Sequence, residues 1–154
     1  MKNFIGAWKL VSVEDRQADG TLTYPYGPDP VGLLVYDASG YMSVMIMRRD
    51  RAAFSTDDWQ RVPAEEIKSA VGDVTAFFGP YEVDEENRTI VHHVIGHVLP
   101  NSVGKKLRRS FEFSGDRLIL KPSETREVIW ERLELADHTA VVSPDRNKCQ
   151  ESQA

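Results

Sequence analysis

The feature that most constrains this chain is the even spacing of its short extended runs. Residues 4–14, 21–24, 31–37, 41–48, 81–84, 89–99, 106–113, 118–121 and 126–133 are each rich in Val, Ile, Leu or aromatic residues. Turn chemistry separates them at Asp19-Gly20, Ala38-Ser39-Gly40, Glu85-Glu86-Asn87-Arg88 and Ser114-Gly115-Asp116. β-Branched and aromatic side chains fit a pleated, half-buried surface. Strands at short regular intervals predict a mainly β fold, an antiparallel up-and-down barrel whose closure removes the exposed edges of an open sheet. A two-sheet sandwich is the alternative. Pro25, Pro28 and Pro30 make the stretch between the second and third runs a rigid loop, because proline cannot donate to a ladder.

Residues 49–78 break this rhythm. Pro63 suits the first turn of a helix, Glu65 and Glu66 sit near its positive end, and Ile67, Ala70, Val71, Val74 and Phe77 recur at helical spacing. The expectation is a helical insertion that covers one end of the barrel. Residues 1–134 form one domain, and 135–154 lose periodicity and read as a polar, loosely ordered tail.

Composition excludes several classes of function. A net charge of -5 and a pI near 5.4 lack the basic stripe that nucleic acid requires. Half of the one basic run, Lys105-Lys106-Leu107-Arg108-Arg109, turns inward if it is a strand. The single cysteine, Cys149, excludes an internal disulfide, and no apolar run approaches the roughly 20 residues of a membrane span. The start of the chain lacks a signal peptide's apolar region, so a cytoplasmic location is expected.

The run 89–99 carries three of the four histidines, His92, His93 and His97. Strand neighbours face opposite ways, so His92 and His93 cannot both point inside. A four-residue loop at 85–88 pairs Asp84 with Thr89, Val83 with Ile90 and Tyr81 with His92, which puts His92 on the apolar face. A three- or five-residue loop sends His93 inward instead. Along 107–113, Arg109 falls in phase with Leu107, Phe111 and Phe113, and a buried guanidinium requires an acid such as Glu14 or a ligand. His92, His93, Tyr81 and Arg109 are therefore the candidate catalytic groups: a proton carrier, a phenol donor and a fixed cation.

The preference of Arg48 for water sets the phase of 41–48, with Tyr41, Ser43, Met45 and Met47 inward. Tyr41, Met45 and Met47, together with Tyr36, Phe78 and Phe111, are the candidate ligand-binding side chains. His93 and His97 share a strand face, but without a helical His-Glu-x-x-His or paired cysteines no metal site is expected, and no cofactor is required. No Gly-x-Ser-x-Gly elbow, phosphate loop or dinucleotide glycine motif occurs.

Gly6-Ala7-Trp8 in the first strand and Trp130-Glu131-Arg132 in the last resemble the calycin pattern, in which an early tryptophan packs against a late arginine at the closed end. A wider set resembles the lipocalin-like domain family of small bacterial and fungal proteins. It comprises Gly32-Leu33-Leu34-Val35-Tyr36, Gly40-Tyr41-Met42, Pro63-Ala64-Glu65-Glu66-Ile67, Phe78-Gly79-Pro80-Tyr81-Glu82-Val83-Asp84, His92-His93-Val94, Pro100-Asn101, Val103-Gly104, Arg109 and Gly115-Asp116-Arg117-Leu118. The sequence departs from that pattern at Ile95, His97, Ser102 and Leu107, around the candidate site.

The resemblance implies a calycin-type barrel around an apolar cavity, with Trp8, Trp130 and Arg132 as structural residues. It also implies either a cofactor-independent isomerase or cyclase for a hydrophobic secondary-metabolite-like substrate, or a non-catalytic carrier. The expected partner is a small hydrophobic molecule, with no nucleic acid and no membrane, and self-association to a homodimer is left open.

Overall fold

A computed structural model describes residues 2–134, so the tail expected at 135–154 lies outside the described residues. The strands are β1 (Gly6–Arg16), β2 (Leu22–Thr23), β3 (Val31–Tyr36), β4 (Tyr41–Met47), β5 (Val74–Asp84), β6 (Thr89–His93), β7 (Gly96–His97), β8 (Lys106–Ser114), β9 (Arg117–Lys121) and β10 (Arg126–Arg132). One α-helix, α1 (Ala64–Gly72), joins β4 to β5. Eight strands close an antiparallel barrel in the order β1, β3, β4, β5, β6, β8, β9, β10, with β10 pairing back onto β1. β2 extends β1, and β7 prolongs the pairing on β5 beyond β6. Among the described residues no helix is long and apolar enough to cross a membrane.

The inner face follows the alternation of the strands, except where bulges interrupt it. Between Leu10 and Ser12 the register on β10 slips by one residue, which is why Ser12 and Val13, neighbours in sequence, are both buried. A second slip separates the pair Tyr81 with His92 from the pair Phe78 with Gly96. It requires Gly79: a Cβ there would lie 1.8 Å from the carbonyl oxygen of His93.

β4 has the opposite phase to the one expected. Met42, Val44 and Ile46 face the core, whereas Tyr41 and Met45 are 52% and 49% exposed. Arg48 does not set this phase, because it lies past the strand end, half-buried and hydrogen-bonded to Asp50 at 3.0 Å. With Met42, Val44 and Ile46 on one side and Tyr41, Met45 and Met47 on the other, the strand is apolar on both faces. The alternation that normally marks the buried side is therefore missing.

The end of the barrel where β1 begins is sealed. The Arg132 guanidinium stacks 4.1 Å above the Trp8 ring and donates to the Ile5 carbonyl at 3.0 Å. The Trp8 indole donates to the Phe4 carbonyl at 2.8 Å. Phe4 packs edge-on against Tyr36, Phe111 and Phe113 with ring centroids 5.4, 4.8 and 4.9 Å away. Gly6 is held at φ +128, and a Cβ there would sit 3.1 Å from Arg132 Nη1, which accounts for the glycine two residues before the tryptophan.

Helix α1 stands at the opposite end, where β4 leaves at Met47 and β5 enters at Val74. Glu65 and Glu66 occupy its first turn, and Glu66 also accepts the Ser55 amide at 2.9 Å. Its apolar stripe is Ile67, Ala70 and Val71 alone, because the helix ends at Gly72, and Val74 and Phe77, expected to continue it, belong to β5. The stripe borders a shallow surface groove with Met47, Phe54 and Trp59.

Candidate ligand cavity

A hollow of about 130 Å³ lies inside the barrel, between the aromatic seal and the α1 end. Leu34, Val44, Ile46, Phe77, Leu120 and Val128 form its apolar wall. Its polar lining is His92, Arg109 and Trp130, with Tyr26, Thr75 and Arg126 completing it.

Strand register brings His92 and Arg109 together. Residues 85–88 form the four-residue turn that pairs Asp84 with Thr89, Val83 with Ile90 and Tyr81 with His92. On the other side of β6, Ile90 pairs with Arg109 and His92 with Leu107. His92 and Arg109 are thus diagonal neighbours on the inner face, a spacing that long side chains bridge.

His92 is 2% exposed, and its Nε2 lies 2.7 Å from the Tyr36 hydroxyl, itself on a fully buried ring. Burial, reinforced by the electrostatic influence of Arg109 and then His93, pulls the His92 pKa down to about 3. Burial drives the Tyr36 phenol in the other direction, well above its usual range. At neutral pH the two therefore form an uncharged pair, and His92 Nδ1 has no hydrogen-bond partner among the described residues. The buried indole nitrogen of Trp130 also lacks one.

Arg109 is half-buried, with its guanidinium carbon 5.7 Å from the Phe77 ring centroid. It makes no hydrogen bond or ion pair with any described residue. Glu14, the expected acid, instead accepts from the Ser12 hydroxyl at 3.0 Å. Desolvation lowers the Arg109 pKa, although a guanidinium starts so high that it stays charged. Arg126 is the contrast: it grips both oxygens of Asp15 at 2.6 Å, and that contact holds the Asp15 carboxyl below its ordinary value. Tyr26 and Thr75 are hydrogen-bonded through their hydroxyls beside it.

The remaining expected site residues divide by face. Tyr81 points inward but donates to the Asp37 carbonyl at 3.1 Å, packs on Tyr36 and does not line the hollow. His93 faces outward with Nε2 3.2 Å from the Glu82 carboxylate, poorly aligned for a hydrogen bond. Tyr36 backs His92 without reaching the cavity wall, and Phe111 is inward but spent on packing against Phe4.

Tyr41, Met45 and Phe78 lie on the outer face, and Met47 faces the α1 groove, so none of the four lines the hollow. The slip at Gly79 also separates His93 from His97, whose ring stacks on Phe77 at 5.5 Å instead of sharing the face of His93. Among the described residues no group of three or more His, Cys, Asp or Glu side chains is placed to hold a metal ion.

Sequence reasoning missed Val44 and Ile46, through the phase of β4, and Tyr26, Thr75 and the Asp15–Arg126 pair. Residues 15 and 126 are brought opposite each other only by barrel closure. Trp130, expected to be purely structural, lines the hollow as well.

A closed eight-stranded antiparallel barrel around such a hollow is a small-molecule-binding fold. The sequence model of the lipocalin-like domain family matches residues 5–143, and the chain belongs to that family. A search of curated protein sequences finds no match.

Proposed function

We propose that this protein binds a small, mainly apolar molecule inside its barrel and carries or sequesters it. The observation that supports this reading is the hollow of about 130 Å³ within an otherwise packed core. Protein interiors are close-packed, so a space of this size among buried aliphatic and aromatic side chains suits an apolar guest. Xenon, which enters apolar cavities, tests it directly. Under xenon pressure the methyl signals of Val44, Leu120 and Val128 should shift in NMR spectra, and Val44→Phe, which fills the space, should abolish the shift. Unchanged methyl signals in the wild-type protein would refute the reading.

Catalysis is the second reading, favoured by one observation: the Tyr36–His92 hydrogen bond lies beside a fixed cation. A ketone with its oxygen on Arg109 would have enolate charge stabilised by the guanidinium while His92 moved a proton, as a cofactor-independent isomerase or cyclase requires. Carriage is preferred because an imidazole with a pKa of about 3 is a poor base at neutral pH. Hydrogen–deuterium exchange at the α-carbon of cyclopentanone in heavy water separates the two. A carrier leaves the exchange rate at its buffer value, whereas an enolising enzyme accelerates it and loses that acceleration in His92→Gln.

A further inference from the structure

We propose that the cavity is a receptor for a short branched or cyclic monocarboxylate, whose carboxylate sits on Arg109 and whose hydrocarbon body fills the apolar wall. This rests on the reading that the hollow takes a small apolar molecule, and adds the chemistry of the head group. Three features of the site carry it.

The polar group left over at the surface of the hollow is a donor. The guanidinium of Arg109 lines it, donates only and has no acceptor among the described residues. The indole nitrogen of Trp130 and Nδ1 of His92 also lack partners, but both atoms are closed off from the open space, so Arg109 is the group a guest meets. An alcohol or an amine brings a further donor to such a site, whereas a carboxylate brings two oxygens and only accepts. Its oxygens also match the fork of a guanidinium.

The charge count favours a monoanion. Two guanidinium groups line the hollow, Arg109 and Arg126, and Asp15 neutralises the second through both of its oxygens. His92 is held neutral. One positive charge is uncompensated, so a single carboxylate balances it and a phosphate dianion leaves a surplus buried negative charge, which is costly. A simple inorganic anion would satisfy Arg109 but leave the apolar wall uncovered.

The volume sets the size. An apolar cavity of about 150 Å³ holds benzene. The 130 Å³ here therefore accepts a guest of about six non-hydrogen atoms, such as a branched four- or five-carbon acid, and longer chains exceed it.

The site carries its own reporter. Of the three indoles, that of Trp8 is bonded to Phe4 and that of Trp59 is on the surface, whereas that of Trp130 lines the hollow. The experiment titrates 3-methylbutanoate, its neutral isostere 3-methylbutanamide and the hydrocarbon 2-methylbutane into the full chain at neutral pH. It follows the indole N–H resonances, with Trp130 assigned by Trp130→Phe.

The acid should move the Trp130 resonance and saturate, with the amide at least tenfold weaker. In Arg109→Met and Arg109→Gln that advantage should vanish while the amide still binds, which shows that the variants retain the cavity. Equal affinity of acid and amide for the wild-type protein would overturn the carboxylate assignment and leave the apolar cavity standing. No response of Trp130 to any of the three probes would overturn the cavity reading, and this proposal with it.

Discussion

Arg109, a cation with no acid beside it, carries an expectation for stability that is separate from the binding proposed for it. A cation in a low-dielectric interior without an acid beside it opposes folding, and replacing buried charge with an apolar group of similar volume commonly stabilises. Arg109→Met is therefore expected to raise the unfolding free energy of the ligand-free protein by about 1–3 kcal/mol, read from urea denaturation. An unchanged or lower value would mean that a protein group already satisfies the guanidinium. His92 makes the complementary prediction for pH. Its folded pKa is depressed, so below the unfolded value near 6.5 the unfolded chain takes up a proton that the folded chain refuses. Stability should thus fall as pH drops from about 6.5 toward 3, by about 1.4 kcal/mol per pH unit. His97 shifts in the same direction, so the measured quantity is the difference in slope between wild type and His92→Gln above the carboxylate range. Equal slopes would contradict a neutral, buried His92. The sequence put Arg109 in phase with Leu107, Phe111 and Phe113, and narrowed the inward histidine to His92 or His93 according to the length of the turn at 85–88, which the strand pairing then fixes as four residues. It did not disclose the lack of an acid beside Arg109, which depends on which way Glu14 turns across the barrel.

Individual strands were legible where one face is polar and illegible where both are apolar. β8 alternates Leu107, Arg109, Phe111 and Phe113 with charged or polar residues, and its inner face follows from the residues alone. β4 offers no such contrast, and its outer face joins Phe78 and Leu33 in an exposed apolar strip, so its phase is fixed only by pairing with β3 and β5. The bulges at residues 10–12 and 93–96 were equally hidden, since a bulge is a mismatch between two strands and not a property of one. Glycines mark where such mismatches are tolerated. Gly79→Ala forces a Cβ into the His93 carbonyl and should cost at least about 2 kcal/mol. Gly72→Ala, at the last residue of α1 with open space around it, should be neutral or gain up to about 1 kcal/mol. Thermal unfolding of the two variants checks the pair, and comparable effects would contradict the bulge at β6.

At the scale of the molecule, one end of the barrel is sealed by Trp8, Arg132 and Phe4, and the hollow lies toward the end where β4 and β5 are joined by α1. Barrel closure was readable from strand spacing and the placement of turns. The position of the hollow was not, because it results from where the aromatic layer of Phe4, Tyr36 and Phe111 stops, a matter of packed volume. An occupied hollow should stabilise the fold by mass action, by about 2.7 kcal/mol when the acid is present at 100 times its dissociation constant. Denaturation with 3-methylbutanoate at that concentration should show the full gain in the wild-type protein and about half of it or less in Arg109→Met, whose affinity for the acid falls to that for the amide. The most direct test is a crystal structure with 4-bromobutanoate, whose bromine is located by anomalous scattering. The carboxylate should lie about 2.7–3.1 Å from the Arg109 nitrogens, with the bromine against the apolar wall near Leu120. A reversed molecule, with bromine at Arg109 and the carboxylate out in solvent, or a hollow closed by side chains, would contradict the account.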